Sequence, residues 1–125
     1  MEEVIHIIPL GHEIDRAVKP FENLKANKVY ILAVTESPKY SREMLKRQKY
    51  YLEIVKGQLE RQNITVVTMN VDMFDLLQVI KTIANLIVQE KRNNNTVFVN
   101  VSSAGRLTSI GATLAAMVHG AKAYY

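Results

Sequence analysis

Residues 96–120 read TVFVNVSSAGRLTSIGATLAAMVHG. The first six residues, Thr96 to Val101, form a short β-rich run, apolar enough to be covered on both faces. Ser102-Ser103-Ala104-Gly105-Arg106 interrupts it. From about Leu107 to His119 the apolar spacing turns helical, and Gly120 is well placed to end that helix in a left-handed cap. A buried strand, a short polar loop and a helix in this order make half of a parallel crossover unit.

Working outward, the same alternation fills the chain. Strand-like runs lie at 4–8 (VIHII, closed by Pro9-Leu10-Gly11), 28–34 (KVYILAV), 64–71 (ITVVTMNV) and 121–125 (AKAYY). Between the first two, residues 12–26 place Ile14, Ala17, Val18, Phe21 and Leu24 on one side. Pro20 lacks an amide hydrogen and predicts a kink or restart there. Residues 41–62 carry a stripe of Leu45, Leu52, Val55 and Leu59, begun by Ser37-Pro38 or Ser41. Asp72 reads as the N-cap of a helix from 73 to about 91, with Leu76, Ile80, Ile83 and Ile87 as its buried ridge. Asp75 in the first turn and Lys91-Arg92 in the last suit the helix dipole. Asn93-Asn94-Asn95 is a turn.

The order β-α-β-α-β-α-β-α-β predicts an α/β protein: one Rossmann-like, doubly wound domain over residues 1–125. Its sheet is mainly parallel and five-stranded, with helices on both faces. With strand order 3-2-1-4-5, ligands bind where the order reverses, between the first and fourth strands.

Composition narrows the function classes. The 125 residues are 48% hydrophobic, too apolar for a disordered tail. No apolar run approaches the roughly 18 residues of a membrane span, and the acidic first residues are no signal peptide, so no membrane partner and a cytoplasmic location are expected. The absence of cysteine removes disulfides, thiolate metal sites and a cysteine nucleophile. His6, His12 and His119 lack metal-ligand spacing, so neither a metal nor another cofactor is expected. His6, within a strand, reads as a satisfied core histidine, and His119 as a dipole-compatible residue at a helix end.

The net charge of +4 sits between Lys39 and Arg61, where seven basic residues face three acidic ones. Within it, Arg42, Lys46 and Lys49 share one helix face. This excess suits an anionic partner or a solvated helix face.

Two loops meet at the predicted switch point. In the second, Ser102 and Ser103 supply hydroxyls, Gly105 permits close backbone approach and Arg106 adds a fixed charge. Amides at the start of the following helix complete a site for phosphate or carboxylate. A serine cap with a turn glycine would give the same letters. The loop is not a P-loop, the first turn (PLGHEID) is not G-x-G-x-x-G, and no G-x-S-x-G elbow exists, which disfavours conventional nucleoside triphosphate or NAD binding and an α/β-hydrolase. In the first loop, His12 follows Gly11 and serves as a phosphate donor, an acid or base, or an exposed first-turn residue. Asp15 and Arg16 form surface ion pairs. Lys39 and Tyr40, beyond the second strand, are placed to reach a phosphate or stack on a base. Gly111, Ala112, Ala115 and Ala116 give the last helix a small-residue surface for close packing on its own sheet or on a second subunit.

The segments NVSSAGRLTSIGATLA (Asn100 to Ala115) and IHIIPLGHEIDR (Ile5 to Arg16) together resemble the CARF family, the CRISPR-associated Rossmann-fold domains. The likeness is to the N-terminal ligand-sensing domain of archaeal regulators in which it precedes a winged helix-turn-helix. The resemblance implies a homodimer that binds a cyclic oligoadenylate, usually the tetra-adenylate, across its two-fold axis. Contact would involve the carboxyl edge of the sheet and the helix over 107–119. DNA would be met only through a missing C-terminal output domain, as the chain's end at Tyr125 also suggests. The implied ligand-binding residues are Leu10, Gly11 and His12 in the first loop and Ser102, Ser103, Ala104, Gly105 and Arg106 in the second. The family commonly has a second glycine and a lysine in the second loop, where Ala104 and Arg106 stand here. The resemblance also implies a second activity, since some members are metal-independent ring nucleases. For that chemistry Arg106 would stabilise phosphorane charge, Ser102 orient the phosphate and His12 act as acid or base.

Overall fold

The computed structural model describes residues 2–125. The elements run β1 (Val4–Pro9), α1 (Ile14–Val18), a 3-10 turn (Lys19–Glu22), β2 (Lys28–Ala33), α2 (Arg42–Glu60), β3 (Thr65–Asn70), α3 (Leu76–Arg92), β4 (Thr96–Asn100), α4 (Arg106–His119) and β5 (Lys122–Tyr124). The five strands are all parallel, in the order β3-β2-β1-β4-β5. This is the Rossmann-like α/β architecture read from the alternation, and it puts the switch point between β1 and β4.

Strand alternation divides the core in two. On one face Ile5, Ile7, Leu32, Val97 and Val99 meet α3 and α4 through Val79, Ile83, Ile87, Ala112, Ala115 and Ala116. On the other, Ile8, Val29 and Ile31 meet α1 and α2 through Ala17, Leu52, Val55 and Leu59, with Phe21 beneath them. His6 is fully buried on this second side, as a satisfied core histidine. Its Nε2 lies 2.9 Å from the Lys25 carbonyl and must carry the proton, leaving Nδ1 to accept from the Tyr124 hydroxyl at 3.0 Å.

Local chemistry sets the boundaries. Pro20 restarts the chain as a 3-10 turn after α1. Ser41 caps α2 by accepting from the Met44 amide. Gly120 closes α4 at φ +73°, the left-handed region that favours glycine. The small-residue surface of α4 packs on its own chain: a Cβ on Gly111 would stand 2.9 Å from both Ile80 and Leu76.

Three expectations need correction. In α3, Leu76 is exposed and Ile80 half-buried, because the helix turns Val79, Ile83, Leu86 and Ile87 to the sheet. Asp72 does not cap α3; the helix begins at Leu76 with Asp75 as its N-cap, accepting from the Gln78 amide at 3.1 Å. The Asp72 carboxylate is instead taken by the Phe74 amide and the Tyr40 hydroxyl, which hold residues 73–74 in a turn. In α2, Leu45 is only half-buried and Gln48 occupies the buried ridge with Leu52, Val55 and Leu59.

Candidate functional site: the cleft at the carboxyl edge

The loops leaving β1 and β4 are joined before any ligand arrives. Asn100 is fully buried at the end of β4, and its Oδ1 accepts from the amides of Ser102 and Ser103 at 2.9 and 3.1 Å and from the Ser102 hydroxyl at 3.0 Å. Its Nδ2 donates to the carbonyl of Arg16 in α1 at 2.8 Å. Ser103, also buried, donates its hydroxyl to the Pro9 carbonyl of β1 at 2.8 Å. Gly11 fits only because it lacks a side chain: a Cβ there would lie 2.3 Å from the Ser103 carbonyl oxygen.

This brace changes the roles of the two serines. The Ser103 hydroxyl holds the first loop, and the Ser102 and Ser103 amides serve Asn100. The donors left for a ligand are those opening α4, whose N-cap is Gly105 and which no side chain caps. A Cβ on Gly105 would meet open space, so nothing in this chain fills the approach to them. Helix N-terminal amides with the local dipole favour an anion.

The loops open onto a cleft of about 1160 Å³. It brings together Leu10, Gly11, His12, Tyr40, Ser102, Ser103, Ala104, Gly105 and Arg106. Lys39 is not among its lining residues; at the rim it faces Asp72 at 3.6 Å. Arg106 is exposed and has no ion-pair partner among the described residues. Arg16 and Arg47 also border the cleft, each paired with a glutamate on its own helix, Glu13 and Glu43. Asp15 pairs with Lys19 rather than with Arg16. His12 is exposed and stacks on Tyr51 at 5.4 Å.

Tyr40 is fixed from both ends. Its hydroxyl donates to Asp72 at 2.9 Å and its ring stacks on Phe74 at 5.4 Å, with 20° between the planes. Burial and then the Asp72 bond push that hydroxyl up to about 12. The Phe74 amide and the Tyr40 hydroxyl in turn hold Asp72 below its ordinary carboxyl range. At neutral pH Asp72 is charged and Tyr40 is a neutral donor with a flat face. The Arg42, Lys46 and Lys49 side lies outside this cleft, where Lys46, Lys49 and Arg61 border a separate groove of about 490 Å³ that also contains Glu53.

Sequence reasoning missed Gln48, Met44 and Phe74 in the lining. Gln48 had a visible signal, a polar residue one turn before Leu52 on an apolar stripe. Phe74 had none, because its position depends on the Asp72 turn.

Residues 4–125 match the profile of the family described as "HFX_2341_N:-like, N-terminal". The uncharacterized protein MJ1513 of Methanocaldococcus jannaschii is 26% identical over 116 residues, covering 91% of this chain. The chain spans about a third (33%) of that relative's length. Among solved structures, a type III CRISPR defence DNA nuclease activated by cyclic oligoadenylate aligns with a TM-score of 0.71 at 13% identity, over 92% of this chain and 17% of the nuclease. Csm6 of Enterococcus italicus, bound to cyclic hexa-2′-fluoro-hexa-dAMP, aligns with a TM-score of 0.58 at 13% identity, over 98% of this chain and 32% of Csm6. These likenesses show the Rossmann-like α/β fold that the sequence predicted. No helix among the described residues is long and apolar enough to cross a membrane.

Proposed function

The chain belongs to the HFX_2341_N-like N-terminal family, and on that footing we propose that it is a CARF-type sensor domain for a cyclic oligoadenylate, the tetra-adenylate first. One observation carries the reading: the β1 and β4 loops and the uncapped start of α4 converge on a single cleft with Arg106 unpaired at its edge. Its volume exceeds the roughly 1,000 Å³ upper range of small-molecule pockets, which suits a ligand larger than one nucleotide. The fold it shares with a CRISPR defence nuclease activated by cyclic oligoadenylate, and with Csm6 bound to cyclic hexa-2′-fluoro-hexa-dAMP, supports the same ligand class. Leu10, Gly11, His12, Tyr40 and Ser102 to Arg106 form the pocket, with Lys39 at its rim.

The working unit is a homodimer in the cytoplasm. The small residues of α4 are used within the chain, but its opposite side exposes Leu107, Ile110, Leu114, Met117 and Val118. An apolar row at helical spacing beside the cleft fits a self-complementary two-fold contact. In the archaeal regulators of this type, DNA contact falls to a C-terminal domain, and the same division is proposed for the longer relatives of this chain. Calorimetric titration with cyclic tri-, tetra- and hexa-adenylates tests the reading. The expected result is one tetra-adenylate ring per two chains; absence of binding by every ring refutes it.

A second reading, slow metal-independent cleavage of the ring, is favoured by Arg106 and His12 bordering the same cleft. Arginine holds its proton, so Arg106 would stabilise charge and His12 would move the proton. Linear products formed in EDTA support it, and an intact ring after prolonged incubation removes it.

A further inference from the structure

The ridge that α2 buries contains Leu52, Val55 and Leu59, and one residue that does not belong in an apolar core, Gln48. Gln48 is 7% exposed, and its Nε2 has no hydrogen-bond partner. An amide donor left dry and unpaired is destabilising and rare in folded interiors. A leucine or methionine of similar length would remove that defect. The side chain also lines the cleft, as do Met44 and Tyr40. The nitrogen is out of solvent contact as it stands, so a group from outside the chain meets it once the carboxamide turns.

The second observation is the exposed aromatic at the same mouth. Phe74 is 78% exposed, yet it is held in place by its stack on Tyr40, and the Asp72 carboxylate accepts from both residues. A fixed ring pair with one exposed member and a carboxamide lining the same cleft offer what recognition of an unpaired base requires: a face to stack on and an edge reader. A carboxamide presents one donor beside one acceptor, and adenine presents the complement, a ring nitrogen beside the 6-amino group. The terminal carboxamide torsion is broad, so a partial turn brings the amide edge, Nε2 and Oε1 together, to the cleft side.

We propose that Gln48 reads an adenine base, donating Nε2–H to a ring nitrogen and accepting from the 6-amino group, while the Tyr40–Phe74 shelf takes a base face. This deepens the cyclic oligoadenylate reading and rests on it for the form of the ligand. The test uses calorimetry on wild type, Gln48→Leu and Phe74→Ala. The ligands are cyclic tetra-adenylate, the equal-sized ring of purine riboside (which lacks the 6-amino group), and the two corresponding nucleoside monophosphates.

Wild type should prefer the adenylate ring by about tenfold or more. Gln48→Leu should bind both rings alike and melt no lower than wild type, because the unpaired donor is gone. Phe74→Ala, a surface change, should weaken both rings equally. Gln48→Met, unbranched like glutamine, replaces Gln48→Leu if the branched side chain prevents folding. A Gln48→Leu protein that keeps the wild-type preference, or a Phe74→Ala protein that binds both rings as tightly as wild type, overturns the proposal. If no ring binds but adenosine monophosphate is preferred in a Gln48-dependent way, the ring reading fails and the adenine subsite stands. If neither ligand form is preferred, the subsite falls.

Discussion

Gly11→Ala is the sharpest perturbation of the cleft, because its cost follows from two backbones rather than from a flexible side chain. The new Cβ would sit 2.3 Å from the Ser103 carbonyl oxygen and 3.1 Å from the Ala104 Cα, where ordinary contact begins near 3.4 Å. The β4 loop must retreat by roughly 1 Å, and overpacking of this kind costs about 1–3 kcal/mol. The retreat also strains the 2.8 Å Ser103–Pro9 bond, whose loss adds on the order of 1 kcal/mol. At about 3–6 °C per kcal/mol for a domain of this size, the combined cost of about 2–4 kcal/mol should lower the melting temperature by about 6–24 °C. Differential scanning calorimetry of wild type, Gly11→Ala, Ser103→Ala and the double variant measures this. The two changes relieve the same brace, so the double variant should lose less than the sum of the singles. A Gly11→Ala protein that melts with wild type would refute the argument, since no such backbone contact could then exist in solution.

Arg106→Ala should weaken cyclic tetra-adenylate binding on the order of tenfold to a hundredfold while leaving the melting temperature unlowered, because the residue is exposed and free of ion pairs; calorimetry and thermal denaturation of one sample check both. Ile110→Asp, with Leu114→Asp, should convert a dimer to a monomer by sedimentation velocity, and an unchanged sedimentation coefficient would remove α4 from the interface. Glu90 is buried at the other end of the sheet, where it accepts from Lys28 at 2.7 Å, Tyr30 at 2.5 Å and Asn95 at 2.9 Å. Burial pushes its carboxyl up, but these bonds and the Lys28 charge outweigh burial and hold it below its ordinary 4.5. Its contribution is therefore present above pH 4.5 and lost as pH falls through the depressed value. Glu90→Gln should cost about 2–3 kcal/mol at pH 7 in urea titration and progressively less below pH 4.5. His6 is held below its ordinary 6.5 by burial, against the Lys25 carbonyl bond; wild type should begin losing stability as pH drops below 6.5, and a stability flat from pH 7 to 5 would contradict the buried neutral ring.

Strand order, helix order and the two converging loops were legible because they depend on local periodicity and on handedness, both written in short stretches. His6 was legible for the same reason, as a polar residue at a strand position that must face the core. Asp72 was misread because its carboxylate is claimed by Tyr40, 32 residues away in sequence, and a cap signal carries no record of a distant competitor. The position of the β4 loop was legible but its internal division was not. That Asn100 takes the serine amides, and Ser103 the Pro9 carbonyl, follows from where β1 lies against β4, which single-chain spacing does not encode. Gly11 looked like a turn residue, whereas it is a contact residue.

Asn100 has a kinetic consequence. One carboxamide spends its acceptor on the β4 loop and its donor on α1, so neither wall of the cleft shifts without the other. Aspartate cannot replace it, because it would bring a second acceptor to the Arg16 carbonyl. On the proposed function, a cleft tied this way has already surrendered the freedom of its loops during folding, and a ligand would immobilise little on arrival. Association should then be limited by encounter rather than by rearrangement, and differences in affinity among rings should lie in how long each one stays.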